Sequence, residues 1–364
     1  MPFGSVSVMD SRRKLVLDVV RGMSLSEACR RAGVTRKTGR KWVNRARLSG
    51  LENLAELSRA PKRVPGKTKA STESALLQLK ELNGPWGAKK LVTLLAQQGI
   101  ELPVRTADRI LKRNGLVSPR EPKQPLQRFE RERCGALLQM DFKGLPKATP
   151  YALLTVLDDH CRFCHHFGPV PDKTGPSVMR ALWEMFAVHG LPDEMLMDNG
   201  DCWGSPCAKG PTRFEAWLMR LGIKPIHGRP RHPQTQGKVE RFHLTAKQEV
   251  EGGMIRSNAD EIGEACAAFV DRYNWVRPHE SLGQQVPGSL YQPWPRRRPD
   301  TPALHQIPEG AITRRVQPEG EFSFKGVRYN ISSGLAGEHI VLQDGDHGIR
   351  ILYAGFPIRY LHEL

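Results

Sequence analysis

The chain has 364 residues, too many for one typical core, so several domains are expected. Apolar residues make up 39%, no uninterrupted apolar stretch approaches a membrane span, and the N-terminus lacks a signal-peptide layout. With an odd seven cysteines, these features point to a reduced, cytoplasmic protein without a membrane partner. The net charge of +17 is confined to the N-terminal third: residues 1–133 hold 29 Lys/Arg against 12 Asp/Glu, and the rest hold 26 of each. Such a distribution is the footprint of a polyanion-binding module.

Residues 1–57 read as three helices. Leu15, Val19 and Val20 share one face of the first, and Gly22 ends it. Ser24 or Ser26 caps the second, Gly33 breaks it, and Thr35 caps the third. That third helix carries Arg36, Lys37, Arg40, Lys41, Arg45 and Arg47, with Trp42 as its core anchor. A short helix, a glycine turn and a basic helix make a helix-turn-helix, whose basic helix would enter a DNA groove; a plain three-helix bundle is the competing reading. A basic, proline-containing linker (58–70) follows. Residues 71–117 repeat the helical texture and are expected to be a second helix-turn-helix DNA reader, with Arg109, Lys112 and Arg113 as its basic contacts. Residues 118–134 read as another basic linker.

From 135 to 290 the texture becomes α/β. Strands are expected at Leu137 to Phe142, Tyr151 to Leu157, Phe163 to Val170 and Glu194 to Met197. Helices are expected at Pro176 to His189, Thr212 to Leu221 and from Pro233 to about Glu251. This succession gives a mixed sheet flanked by helices. Residues 291–320 read as a Pro/Arg-rich linker, and 321–364 alternate apolar and polar residues as a small β-barrel or antiparallel sheet would.

Three acids sit in unusual places. Asp141 lies inside an apolar strand, where an uncompensated charge is costly. Asp198 follows an apolar strand and precedes Asn199-Gly200, and Glu240 is expected to flank the buried face of its helix rather than point at solvent. A hard divalent cation between carboxylates would make sense of all three. Each acid by itself also fits an ordinary surface role, and Asp158 and Asp159, read as turn residues, compete. Position cannot choose among them.

Linked motifs do choose. Asp141-Phe142 in an opening strand, Asp198-Asn199-Gly200 57 residues on, and His232-Pro233-Gln234-Thr235-Gln236-Gly237-Lys238-Val239-Glu240-Arg241 occur in order. Residues 135–290, including the segment Tyr273 to His279, resemble the catalytic core of retroviral integrases and bacterial insertion-sequence transposases, the DDE superfamily with an RNase H-like fold. The step of 42 residues from Asp198 to Glu240 is longer than the family usually shows, and the extra residues fall in the loop Cys202 to Pro211. The resemblance implies Asp141, Asp198 and Glu240 as catalytic residues holding two Mg²⁺ ions, with Mn²⁺ as a substitute. It implies double-stranded DNA as partner, at transposon ends and target, and assembly as a dimer or larger on DNA. The implied reaction is cleavage of 3′ ends at terminal inverted repeats, then strand transfer, in the bacterial nucleoid. Lys238, Arg241 and Lys247 would grip phosphates, and His227 and His232 could bond them too. The alternative is a catalytically inactive, domesticated DNA-binding regulator. Cys161-Arg-Phe-Cys164-His165 matches a haem-attachment pattern in an unsuitable place; zinc at Cys161, Cys164, His165 and His166 is disfavoured because alternate strand residues face opposite ways.

Overall fold

The computed structural model describes residues 7–58, 66–117, 130–144, 151–198, 200, 203, 210–228, 236–250, 258–301, 307–345 and 348–362. The expectations for Asn199, Cys202, Cys207 and His232 to Thr235 lie outside these residues. The chain divides into two compact units, Met1–Thr68 and Lys69–Leu364. Among the described residues no helix is long and apolar enough to cross a membrane.

The first unit is built from α1 (Val8–Val20), α2 (Leu25–Arg31) and α3 (Arg36–Ser49). Ser7, Ser24 and Thr35 each accept a backbone N–H from the first turn that follows, so sequence sets all three starts. Leu15, Val16, Cys29, Trp42, Val43 and Leu54 form the core. Gly39 lets α3 close on α2, since a Cβ there would lie 2.1 Å from Cys29 Sγ. Lys41 and Arg45 fold back over the Trp42 ring. Lys41 also pairs with Glu56 at 3.0 Å, and Arg45 donates to the Ala55 carbonyl. Arg36, Lys37 and Arg40 stand exposed at the start of α3.

The second unit begins with α4 (Ala70–Leu82), α5 (Ala88–Gln97) and α6 (Val104–Arg113), closed over Leu76, Trp86, Leu91, Leu95, Ile110 and Leu111. On α6, Arg109 is exposed, Lys112 pairs with Asp108 one turn away, and Arg113 pairs with Glu73.

Next come β1 (Leu137–Gly144), β2 (Ala152–Asp158), β3 (Cys164–Val170), α7 (Gly175–His189), β4 (Glu194–Met197), α8 (Arg213–Arg220), β5 (Lys224–His227), α9 (Gly237–Glu249), α10 (Ala259–Trp275) and α11 (Pro287–Leu290). The sheet order is β3-β2-β1-β4-β5, with β1 to β3 antiparallel and β4 and β5 parallel to β1. This mixed sheet flanked by helices agrees with the α/β expectation. Strand alternation sorts its two faces. Leu138, Met140, Leu154, Val156, Met195 and Met197 pack with α7 and α8. Leu153, Leu157 and Phe167 pack with Val239 and Phe242 of α9 and with Ile262, Phe269 and Tyr273 of α10. The α4–α6 helices are fastened to this second layer: Trp86 Nε1 donates to Glu249 Oε1 (2.9 Å), and Arg272 donates to Asn83 Oδ1 (2.9 Å).

The barrel expectation is corrected. β6 (Ile312–Arg315), β9 (His339–Gly345), β10 (Gly348–Tyr353) and β11 (Phe356–His362) form an open sheet in the order β11-β10-β9-β6. β7 (Glu321–Phe324) and β8 (Val327–Asn330) form a separate hairpin. Closure needs the outer strands to pair, and among the described residues β6 and β11 remain edges. The two sheets instead bury their apolar face together, against Ala216 and Met219 of α8. Within 291–320, expected as linker, β6 pairs with β9, Trp294 is buried, and the Arg296 carbonyl accepts the Leu191 N–H.

Candidate active site

Asp141 and Asp198 are placed by strand pairing. Leu137, Leu138 and Gln139 stand beside Glu194, Met195 and Leu196 in parallel register. Asp141 and Asp198 each follow the last of these pairs by two residues. Their neighbours Met140 and Met197 face α7 and α8, so alternation turns both carboxylates toward the α9 side.

Asp141 also pairs with Thr155 on β2. The buried Thr155 hydroxyl hydrogen-bonds His243 Nε2 (2.8 Å), and His243 Nδ1 lies 3.8 Å from Asp141 Oδ2. Glu240 is one turn before His243 on α9, so this contact brings it to the same strand end. Glu240 is itself exposed, contrary to expectation, because Val239, Phe242, Thr245 and Ala246 form the buried stripe.

The Asp141 carboxyl senses its surroundings. Burial is the largest influence raising the Asp141 carboxyl to about 6, and the charges of Asp198 and Glu240 add to it. The Phe142 N–H and the Lys173 ammonium act in the opposite direction. Asp198 Oδ1 accepts the Gly200 N–H at 3.0 Å, which fixes the turn. Behind it, His227 Nδ1 donates to the Asp198 carbonyl (3.1 Å), while Nε2 meets Glu215 Oε1 at 2.8 Å. The Glu215 hydrogen bond raises the His227 pKa despite burial. His227 is thus occupied in holding the Asp198 turn, away from the phosphate role considered for it. Phe142 stacks on the buried Trp203 (4.7 Å), and Lys173 lies over the Phe142 ring.

Arg241 and Lys247 are exposed on α9. Lys238 is not available in the same way. Its ammonium donates to the Asp159 carbonyl (2.8 Å) and to the fully buried Asp159 carboxylate. Asp158 and Asp159, expected as turn residues, are both buried and belong to a hydrogen-bonded network at the far end of β2. Thr155, Lys173, Glu215 and His243 were invisible as site residues from sequence; the one available signal was a histidine three positions after Glu240. All-oxygen donors from three carboxylates suit a hard divalent cation, and their mutual repulsion is what such an ion relieves.

Residues 131–233 and 221–287 match two family models, both described as integrase core domain, and residues 11–62 match a helix-turn-helix domain. The chain is 25% identical over 362 residues to a putative transposase for insertion sequence element IS5376 of Geobacillus stearothermophilus, covering 94% of this chain and 85% of the relative. It is 22% identical to an insertion element IS476 protein of Xanthomonas euvesicatoria, over 74% of this chain and 79% of that one. A solved HTLV-2 integrase catalytic core domain in complex with magnesium is 16% identical and covers 44% of this chain and 99% of its own, with a TM-score of 0.36. The chain is thus similar to integrase core domains over residues 131–287 and to a helix-turn-helix domain over residues 11–62. Over most of its length the chain is similar to these insertion-element proteins.

Proposed function

We propose that this chain is a metal-dependent polynucleotidyl transferase that acts on the ends of its own insertion sequence. Asp141, Asp198 and Glu240 would hold two divalent ions, Mg²⁺ or Mn²⁺. When bound, such ions lower the pKa of a water and stabilise charge on phosphodiester oxygens. The observation that carries this reading is the parallel register that sets Asp141 beside Asp198, with Glu240 one turn before His243, whose ring lies against Asp141.

The protein's own groups supply position. His243, held by Thr155, backs the Asp141 carboxylate, and His227 with the Gly200 N–H holds Asp198. Lys173, Arg241 and Lys247 are exposed cations suited to the DNA backbone beside the acids. Water attack on a phosphodiester releases a 3′-hydroxyl, and that hydroxyl then attacks target DNA. No covalent enzyme intermediate is required. The first helical unit, through Arg36, Lys37 and Arg40, and the α6 helix, through Arg109, Lys112 and Arg113, would bind the terminal inverted repeats as double-stranded DNA. Joining two ends requires at least a dimer on DNA, working in the bacterial cytoplasm at the nucleoid.

The test uses the full chain on duplexes carrying the element's own ends with Mg²⁺ supplied. Asp198→Asn and Glu240→Gln are expected to bind these duplexes normally and to lose both 3′ cleavage and strand joining. Wild-type cleavage rates in either variant would overturn the reading.

A further inference from the structure

A second cluster of ligating groups lies at the other end of β2. Cys134 Sγ, Cys161 Sγ and a carboxylate oxygen of Asp158 all lie within 4.8 Å of one another. Asp158 pairs with Leu138, three residues from Asp141 along β1, so the cluster is roughly 10 Å from the candidate active site. The cysteines are 27 residues apart, and the β1–β2 hairpin brings them together.

His165 borders the group on the Asp158 side and would have to move toward the two sulfurs to join it. It is fully buried, neither ring nitrogen has a hydrogen-bond partner, and Nε2 lies 4.0 Å from Asp158 Oδ2. Leaving both nitrogens of a buried imidazole unsatisfied is costly unless something else bonds them. Asp158 has capacity for a further partner. Its Oδ1 accepts the His160 and Cys161 N–H groups (2.8 and 2.9 Å), whereas Oδ2 accepts the Gly135 N–H alone among backbone donors (2.7 Å). The Cys161 thiol also hydrogen-bonds the Asp158 carboxylate, and a metal would take the place of that thiol proton.

We propose that Cys134, Asp158, Cys161 and His165 form a structural zinc site. Zinc takes four ligands tetrahedrally, at about 2.3 Å for sulfur and about 2.0–2.2 Å for nitrogen or oxygen, so neighbouring donors stand roughly 3.3–3.8 Å apart. Cys134, Asp158 and Cys161 lie within 4.8 Å of one another and His165 Nε2 lies 4.0 Å from Asp158, so binding would draw the three donors slightly closer and His165 inward. Two thiolates with an imidazole and a carboxylate favour zinc over magnesium, which prefers all-oxygen ligands and several waters. Each thiol loses its proton on binding, and the metal takes the place of both protons.

The surroundings fit a staple. Cys134 sits in the segment that enters the core, half-buried, and its thiol donates to the Leu290 carbonyl in α11. The next residue, Gly135, has a positive φ, and a Cβ there would lie 2.5 Å from the Trp294 indole. Trp294 and His189 both pack against the His165 ring, at 4.6 Å. Zinc would therefore tie the chain entering the core, the β2–β3 turn and β3 at the point where the outgoing segment 290–294 is packed. The sequence pattern named a different set. Cys161 and His165 belong to this group, but Cys164 does not: its thiol points to the His166 carbonyl, in the layer beneath α10.

The experiment is metal analysis of the full-length protein expressed with zinc and purified under reducing conditions. One zinc per chain is expected to survive gel filtration. Cobalt substitution should give thiolate-to-metal charge-transfer absorption and tetrahedral d–d bands. Cys134→Ser and Cys161→Ser should each lose zinc, while Cys164→Ser retains it. Should Cys161→Ser fail to fold, chelation of the wild-type protein supplies the second measurement: it should lower Tm, with recovery on zinc and not on magnesium. Wild-type protein without stoichiometric zinc, full retention by Cys134→Ser, or a Cys134–Cys161 disulfide in place of metal would each overturn the site. DNA cleavage is not the readout, so the outcome is independent of the proposed activity.

Discussion

Asp141 and Asp198 occupy equivalent steps on two parallel neighbouring strands, each two residues beyond the pair Gln139 and Leu196. The 57-residue separation of the two acids in sequence equals the offset of that register, as Leu137 opposite Glu194 also gives. Burial most of all, and then the charges of Asp198 and Glu240, disfavour the ionised Asp141 carboxyl. Asp141→Asn is therefore expected to stabilise the metal-free protein. The gain should be roughly 1 kcal/mol, reduced from the full shift because the side chain stays partly open to solvent. Denaturant unfolding checks this, with a second arm in Mg²⁺, which should stabilise the wild type and not the variant. A less stable Asp141→Asn protein would contradict the argument that burial and neighbouring charge disfavour the carboxylate.

Gly39 tests the packing of the helix-turn-helix. Alanine normally improves a helix interior by about 1 kcal/mol over glycine. Here its Cβ would meet Cys29 Sγ at 2.1 Å, an overpacking that costs roughly 1–3 kcal/mol. Gly39→Ala should lower Tm in the wild-type background and raise it in a Cys29→Ala background. The same sign in both backgrounds would show that Cys29 is not the obstacle.

Arg36, Lys37 and Arg40 are exposed at the start of α3, whereas Lys41 is paired with Glu56 and Arg45 with a backbone carbonyl. If the first three contact phosphates, each alanine substitution should reduce the slope of log K against log salt by about 1. Lys41→Ala should change it less. Equal slopes for all four variants would remove α3 as the contact helix.

What the sequence reveals here follows from how local each determinant is. The starts of α2 and α3 were legible because Ser24 and Thr35 cap their own first turns. β4 was legible because Met195, Leu196 and Met197 form an apolar run bounded by charges. β5 was missed: Lys224 to His227 contains a proline and little apolar periodicity, and it pairs only at the sheet edge. The carboxylates were legible through linked motifs, but His243 and Thr155 meet through packing between α9 and β2, across 88 residues. The exposure of Glu240 was misread because flanking a stripe and belonging to it look alike in sequence. The Cys134–Asp158–Cys161 grouping carries no sequence spacing at all, since strand pairing creates it.

Lys90 carries a pH signature away from the acids. Burial, reinforced by Arg277, lowers its pKa from the usual 10.5 to about 8. Its ammonium donates to the Pro278 carbonyl, fastening α5 to the chain after α10. Between about pH 8 and 10.5 the unfolded state binds more protons at this group than the folded state, so its contribution to stability rises with pH across that window. Acetylation mapped by mass spectrometry should find Lys90 half-reactive near pH 8, well below the usual 10.5. A Lys90 midpoint at the usual value would contradict the burial argument.

Lys238 separates a structural role from a DNA-binding one. Asp159 is fully buried; its carboxylate accepts the Arg131 N–H (2.7 Å), the Gln139 amide (2.8 Å) and the Lys238 ammonium. Removing the cation strands a buried charge, which typically costs about 3–5 kcal/mol. Lys238→Met should therefore lower unfolding free energy by an amount near that range. Adding Asp159→Asn should recover part of the loss, because the neutral amide no longer needs a cation. A lysine that gripped DNA phosphate instead would leave stability unchanged and reduce the salt slope by about 1. Unfolding curves and DNA titrations on the same Lys238→Met protein decide between the two, and an unchanged midpoint would return Lys238 to the phosphate-binding set with Arg241 and Lys247.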